Sequence, residues 1–294
     1  MITIQKNLFI ISLLLLINPV FAQTSDESLK INPLLELFGS NTKTLDLKGN
    51  VTQMHEQQFS LNAKGNVTGD SELINNFYKF YPEGSTKEFE QNYKYLLSKK
   101  YFFSYTNKGY ISHIDIETLN VAKDKDTTNI PLENETQTSD FSTTDYKYVQ
   151  KKNILYKGEE VNEGSPKKAT ARNEYFYHFN DDNQIFQIDY QTKDLKTKYI
   201  YDSNALVKEL HTFKSGLLSH KNIYKYDRNN RLINIATINS DNNTEYPNRE
   251  TIFTYKLDEN GNVIEKKMIT YLYNNKGTKE FLEGFLILYN YTYL

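Results

Sequence analysis

The sequence predicts an all-β protein: antiparallel β-hairpin repeats forming an extended twisted sheet, with one short N-terminal helix. Three observations carry that prediction. An apolar residue, a polar turn and a second apolar residue six positions on recur along the chain, as in Tyr226-Asp227-Arg228-Asn229-Asn230-Arg231-Leu232. Tyrosine and phenylalanine are abundant (24 and 17, with no tryptophan) and alternate beside the turns, so in a strand they share a face. The hydrophobic fraction is 38%, below the ~45–50% of ordinary soluble domains. Tyrosine covers apolar surface while its hydroxyl stays wet, which suits thin sheets better than a thick core.

Taken in order, residues 1–22 read as a signal peptide. Lys6 precedes the apolar run from Leu8 to Ile17, and Val20 and Ala22 fit a signal-peptidase site. That run is about half the ~20 residues of a bilayer-spanning helix; an N-terminal membrane anchor is the alternative. No later segment is apolar enough to span as a helix, so the mature chain is expected to start near Gln23 and to be secreted or periplasmic. The absence of cysteine excludes a lipid anchor at the cleavage site, disulfides and thiolate metal sites. In the segment from Asn32 to Gly39, Pro33 suits a first helical turn and Gly39 a stop. This is the expected short helix, placed to cover the first sheet edge.

The repeats follow. Two compact copies run from Leu45 to Val51 and from Leu61 to Val67, and others start at Phe80, Tyr105, Phe179, Leu257 and, weakly, Tyr273. The copy from Tyr201 to Leu206 reads as one residue shorter. Asp and Asn in these turns bond their own backbone and tolerate left-handed conformations, as tight turns require. A loose recurrence of this length predicts an array. Residues 85–99 are ambiguous. Ser85-Thr86-Lys87-Glu88 matches a capping box, with Phe89, Tyr93, Leu96 and Leu97 at helical spacing. Alternation at Tyr93, Tyr95 and Leu97 favours a strand. Residues 121–145 and 158–173 read as long polar loops. The first separates an N-terminal β-repeat region (23–120) from a C-terminal one (146–294), or is a long hairpin loop in one sheet. The segment from Phe285 to Leu294 is expected to be a last strand.

The stretch from Tyr226 to Leu232 resembles the YD repeat of rearrangement-hotspot proteins, with Asn230 in place of the glycine. Tyr201-Asp202 keeps the dipeptide, and the copy from Leu257 to Val263 keeps the Asp and Gly. The likeness spans residues 45–111 and 175–275. It implies strand-rich structure and, as in some relatives, carbohydrate or cell-surface binding; it brings no catalytic residues.

Formal charge is −2, and the only arginines are Arg172, Arg228, Arg231 and Arg249, which disfavours nucleic acid as a partner. His113, Asp115 and Glu117 alternate with isoleucines, a pattern that a solvated sheet face explains better than a metal site. His211 and His220 flank a turn at Lys214-Ser215-Gly216 and could pair across it. Asp258-Glu259-Asn260-Gly261-Asn262 resembles the front of a calcium loop, but Ile269 stands where its twelfth-position glutamate belongs; it reads as a hairpin turn. There is no phosphate-binding glycine loop, nucleophile elbow or cysteine nucleophile. Asp181-Asp182 and Glu159-Glu160 sit in expected turns, too wet for acid–base work. Neither enzymatic activity nor a cofactor is expected.

The remaining candidate is an aromatic stripe: Tyr175, Tyr177, Tyr199, Tyr201, Tyr224, Tyr226, Phe253 and Tyr255 precede successive turns in i, i+2 pairs. Cross-strand packing accounts for such a ladder. A sharper reading makes Tyr177, Tyr199, Tyr201, Tyr224, Tyr226, Phe253 and Tyr255 a ligand platform for carbohydrate or a cell-surface protein. The sequence therefore predicts an exported, non-enzymatic binding or interaction module, with an unrecognised secreted hydrolase or toxin-related protein, or a structural spacer, as alternatives.

Overall fold

The computed structural model describes residues 30–93, 97–120, 138–163 and 168–294. The expected signal peptide lies outside these residues. One helical turn, α1 (Leu35–Phe38), precedes the sheet. The first strands are β1 (Val51–Leu61), β2 (Val67–Phe80), β3 (Thr86–Tyr93), β4 (Leu97–Tyr105), β5 (Ile111–Asn120) and β6 (Thr138–Lys151). Next come β7 (Ile154–Glu163), β8 (Lys168–Phe179), β9 (Ile185–Tyr190), β10 (Leu195–Tyr201) and β11 (Val207–Lys214). The last are β12 (Leu217–Tyr226), β13 (Leu232–Asn239), β14 (Arg249–Leu257), β15 (Val263–Tyr273) and β16 (Lys279–Tyr293). Each strand pairs antiparallel with its neighbours in sequence, and β16 pairs with β1, from Ser60 opposite Phe285 to Val51 opposite Tyr293.

That last pairing corrects the expected extended sheet. The hairpins close into a 16-strand barrel, which overturns the resemblance to YD-repeat proteins too, since closure removes the two open edges that such an array would leave. The six-residue interval has a definite meaning. Phe80 pairs with Thr86, Tyr105 with Ile111, Phe179 with Ile185, Tyr201 with Val207, Tyr226 with Leu232 and Leu257 with Val263, each beside a β-bulge. The Tyr201 copy is therefore full length, its partner being Val207 and not Leu206. In the turn after β12, the Asp227 carboxylate accepts from the amides of Asn229 (2.8 Å) and Arg231 (3.0 Å). Asn230 takes φ 62°, and the Asp227 amide donates to the Arg231 carbonyl at 2.8 Å. Asp202 and Asp258 repeat the arrangement.

Residues 86–93 and 97–105 are strands, as the alternation favoured. Other expectations change. Strand β6 begins at Thr138, inside the expected 121–145 loop, and β7 and β8 occupy most of 158–173; residues 121–137 lie outside the described residues. The segment from Leu45 to Val51 is no hairpin but the end of a strap, residues 31–47, that includes α1.

The strap sits at the rim where the six bulged turns gather. Leu37 packs with Leu155, Tyr175, Tyr177, Ile185 and Ile188, and Ile31 packs against Val207, Tyr224, Leu232 and Phe253. Leu45 packs with Met54, Tyr78, Val263 and Ile287. The Thr42 amide donates to the Gly84 carbonyl at 2.9 Å, and the Thr86 hydroxyl donates to the Ser40 carbonyl. Asn262 closes the circuit, accepting from the Lys48 amide (2.6 Å) and donating to its carbonyl (2.9 Å). A segment that meets β1, β2, β3, β7, β8, β9, β11, β12, β13, β14, β15 and β16 must lie within the ring. This makes the aromatic face of the sheet the inner one.

Candidate functional site: the stoppered lumen and the outer wall

Strand alternation gives the barrel an aromatic inner wall and a charged outer one. Inside, six tyrosines reach across to the strand before their own. The hydroxyls of Tyr105, Tyr148, Tyr201, Tyr226, Tyr255 and Tyr291 donate to the carbonyls of Thr86, Ile111, Ile185, Val207, Leu232 and Val263 at 2.6–2.8 Å. Each acceptor is the first residue of its strand. These latches tie every bulged joint to its neighbour. Burial favours the protonated form of three of them: it raises the Tyr105 and Tyr148 pKa values well above 10 and pushes Tyr201 up to about 12.

The expected ligand platform is part of this wall. Tyr177, Tyr224 and Phe253 are buried, with Tyr177 at 0% exposure, while Tyr199, Tyr201, Tyr226 and Tyr255 are half-buried. All seven lie in or against two core clusters shared with the strap. The structure thus brings the stripe together and turns it toward the lumen. Charge enters this wall too. Lys157 is buried, with its ammonium 4.6 Å from the Tyr146 ring centre and 5.1 Å from that of Tyr175, a cation–π sandwich. The Tyr175 hydroxyl donates to Glu159 at 2.8 Å, and Asn173 donates to the same carboxylate at 3.4 Å. Burial, then Glu159, raises the Tyr146 pKa. Sequence reading placed Glu159 in a wet turn; it is instead a strand residue on the inner face.

Outside, cross-strand ion pairs stand among exposed apolar side chains such as Phe77, Phe102, Phe141, Val149 and Ile200: Lys79–Glu88 (3.0 Å), Lys100–Glu90 (3.5 Å), Arg172–Glu160 (3.5 Å), Lys196–Asp189 (3.6 Å) and Lys256–Glu265 (2.7 Å). His113 hydrogen-bonds Asp145 at 2.7 Å and Asp115 at 3.0 Å. Burial opposes protonation of His113, but the two carboxylates prevail and raise its pKa. Among the described residues no group of His, Asp and Glu is arranged to hold a metal ion. His211 and His220 do not pair: His211 bonds Glu209 at 2.8 Å, and the register sets it opposite Lys221. Asp258 sits in a hairpin turn. Burial opposes its ionisation, but the Tyr293 hydroxyl at 2.6 Å and the turn amides outweigh it and lower its pKa.

Sequence reading missed one outer pair. His55 and Phe77 stack with ring centres 4.2 Å apart and planes at 5°. Only the pairing of β1 with β2 brings them together.

No family model matches the chain, and no curated protein does. Two solved structures are similar to the chain. One is a porin-like protein from Bacteroides uniformis at 8% identity and TM-score 0.37, covering 83% of this chain and 99% of that one. The other is a porin-like protein from Bacteroides vulgatus at 15% identity and TM-score 0.30, with the same coverages.

Proposed function

We propose that this protein is an exported, non-enzymatic binding or interaction module of the cell envelope or its surroundings, built as a stoppered barrel and not as a conduit. The strap carries the reading. Residues 31–47 cross one mouth and are gripped by strands around the ring, which obstructs that end. The outer wall supports it. Lipid-facing strand positions are apolar, and each Lys or Arg at mid-bilayer costs about 2–4 kcal/mol, whereas this wall carries ion pairs on one strand after another.

A membrane barrel is the second reading, favoured by the closed ring and even strand number; the charged wall weighs against it. The ligand class is carbohydrate or a cell-surface protein, and the half-buried Tyr199, Tyr201, Tyr226 and Tyr255 are the inner tyrosines that a ligand entering the lumen meets. Purified without detergent, the protein should stay in solution, should not float with liposomes and should give no conductance in planar bilayers. Flotation with vesicles together with steady single-channel steps would overturn the proposal.

A further inference from the structure

We infer that the outer wall carries a groove for a neutral saccharide, centred on Phe77 and His55. The inference rests on the water-facing reading above and adds the place and chemistry of binding. The register lines up four outward side chains across β16, β1, β2 and β3: Asn290 opposite His55, His55 opposite Phe77, and Phe77 opposite Glu90. Lys79 and Glu88 stand one step nearer the strap rim on β2 and β3. These residues line a cavity of about 400 Å³, within the ~300–1,000 Å³ span of small-molecule sites.

Its floor is a preorganised aromatic pair in which His55 covers one face of Phe77, so a ligand meets the exposed part of Phe77 and the edges of the stack. Phe77 is 39% exposed and lies parallel to the His55 imidazole. Asn75 holds that imidazole through a 2.6 Å bond to Nε2. Phe186 on β9 is equally exposed, but its neighbour His178 lies 6.1 Å away and is tilted by 60°. The charges beside the floor are already paired, Lys79 with Glu88 at 3.0 Å and Glu90 with Lys100 at 3.5 Å. The groove therefore offers hydrogen-bond partners at its edge with little net field.

The fitting ligand has an apolar face to pack against the exposed part of Phe77, hydroxyls around its rim and no net charge. A neutral pyranose has all three. An anion would face Glu88 and Glu90, a cation would have to break existing pairs, and an alkyl chain would desolvate the edge groups without bonding them.

Calorimetric titration of the full chain with cellotetraose, laminaritetraose, maltotetraose, mannotetraose and chitotetraose tests the proposal. At least one should bind. Phe77→Ala should weaken that binding about tenfold or more, as truncating an anchor residue does, and Asn290→Ala should weaken it less. Phe186→Ala should leave it unchanged. Unaltered circular dichroism and melting would show that the variants fold.

Binding of none of the five sugars would overturn the groove, as would binding that survives both Phe77→Ala and His55→Ala. If Tyr199→Ala alone abolished binding, the ligand would sit in the lumen: the groove would fall and the binding module would stand. Flotation with liposomes would instead sink the underlying reading, whatever the sugars do.

Discussion

Replacing Tyr226 by phenylalanine removes one hydroxyl from the inner wall while keeping the ring. The Val207 carbonyl then loses the 2.8 Å bond it accepts, so the expected loss is about 0.5–1.5 kcal/mol, read from the urea midpoint at constant slope. His113 gives a pH signature. Its folded pKa is raised, so its contribution is fully present below the ordinary value of about 6.5 and fades as pH climbs through the folded value. Nuclear magnetic resonance should find the imidazole titrating above 6.5, and Asp145→Asn should bring it down. At this scale the turns were legible, because Asp227 and Asn230 act through their own backbone. The reach of Tyr226 was not, because its acceptor belongs to a different hairpin.

The strap is the element whose removal is most informative. Leu37 is 1% exposed among Leu155, Tyr177 and Ile188, and Leu37→Ala should cost about 2–5 kcal/mol. Two glycines separate the strap's grip from ordinary turn strain. Gly65 has φ +77° with open space around it, whereas Gly84 has φ +93° and a methyl there would run into the Thr42 side chain. Gly65→Ala should therefore cost about 1 kcal/mol of backbone strain. Gly84→Ala should cost clearly more and expose residues 40–44 to faster amide hydrogen exchange; equal costs would mean that the strap docks loosely. Pro33 and Gly39 made the helical turn readable, and its apolar face promised a docking surface. The expected surface was a sheet edge, but in a closed ring there is none, so the turn settles over the mouth.

Closure joins β1 to β16, whose paired residues lie about as far apart in the chain as any two strands can. No local pattern announces it, since each hairpin would look the same in an open sheet. Without residues 279–294, β1 and β15 would each show an unpaired edge, and the truncated chain should aggregate where the full one stays dispersed. Alkali should act on the whole ring at once. The latching tyrosines ionise only above about pH 12 in the case of Tyr201, against about 10 when unfolded. The stabilisation from Tyr105, Tyr148 and Tyr201, all raised by burial, is intact below pH 10 and drains away above it, so tyrosinate absorbance should rise cooperatively with loss of the β signal. The latches also bear on how the ring is sized. Each joint on the strap rim repeats one step and touches only its neighbour, so no joint carries information about how many others exist. A contact that crosses the mouth is different in kind, and the piece running from Ile31 to Leu45 supplies one. A ring with a pair of strands added or dropped would have to refit that crossing piece, whereas the remaining hairpins would need no change of their own.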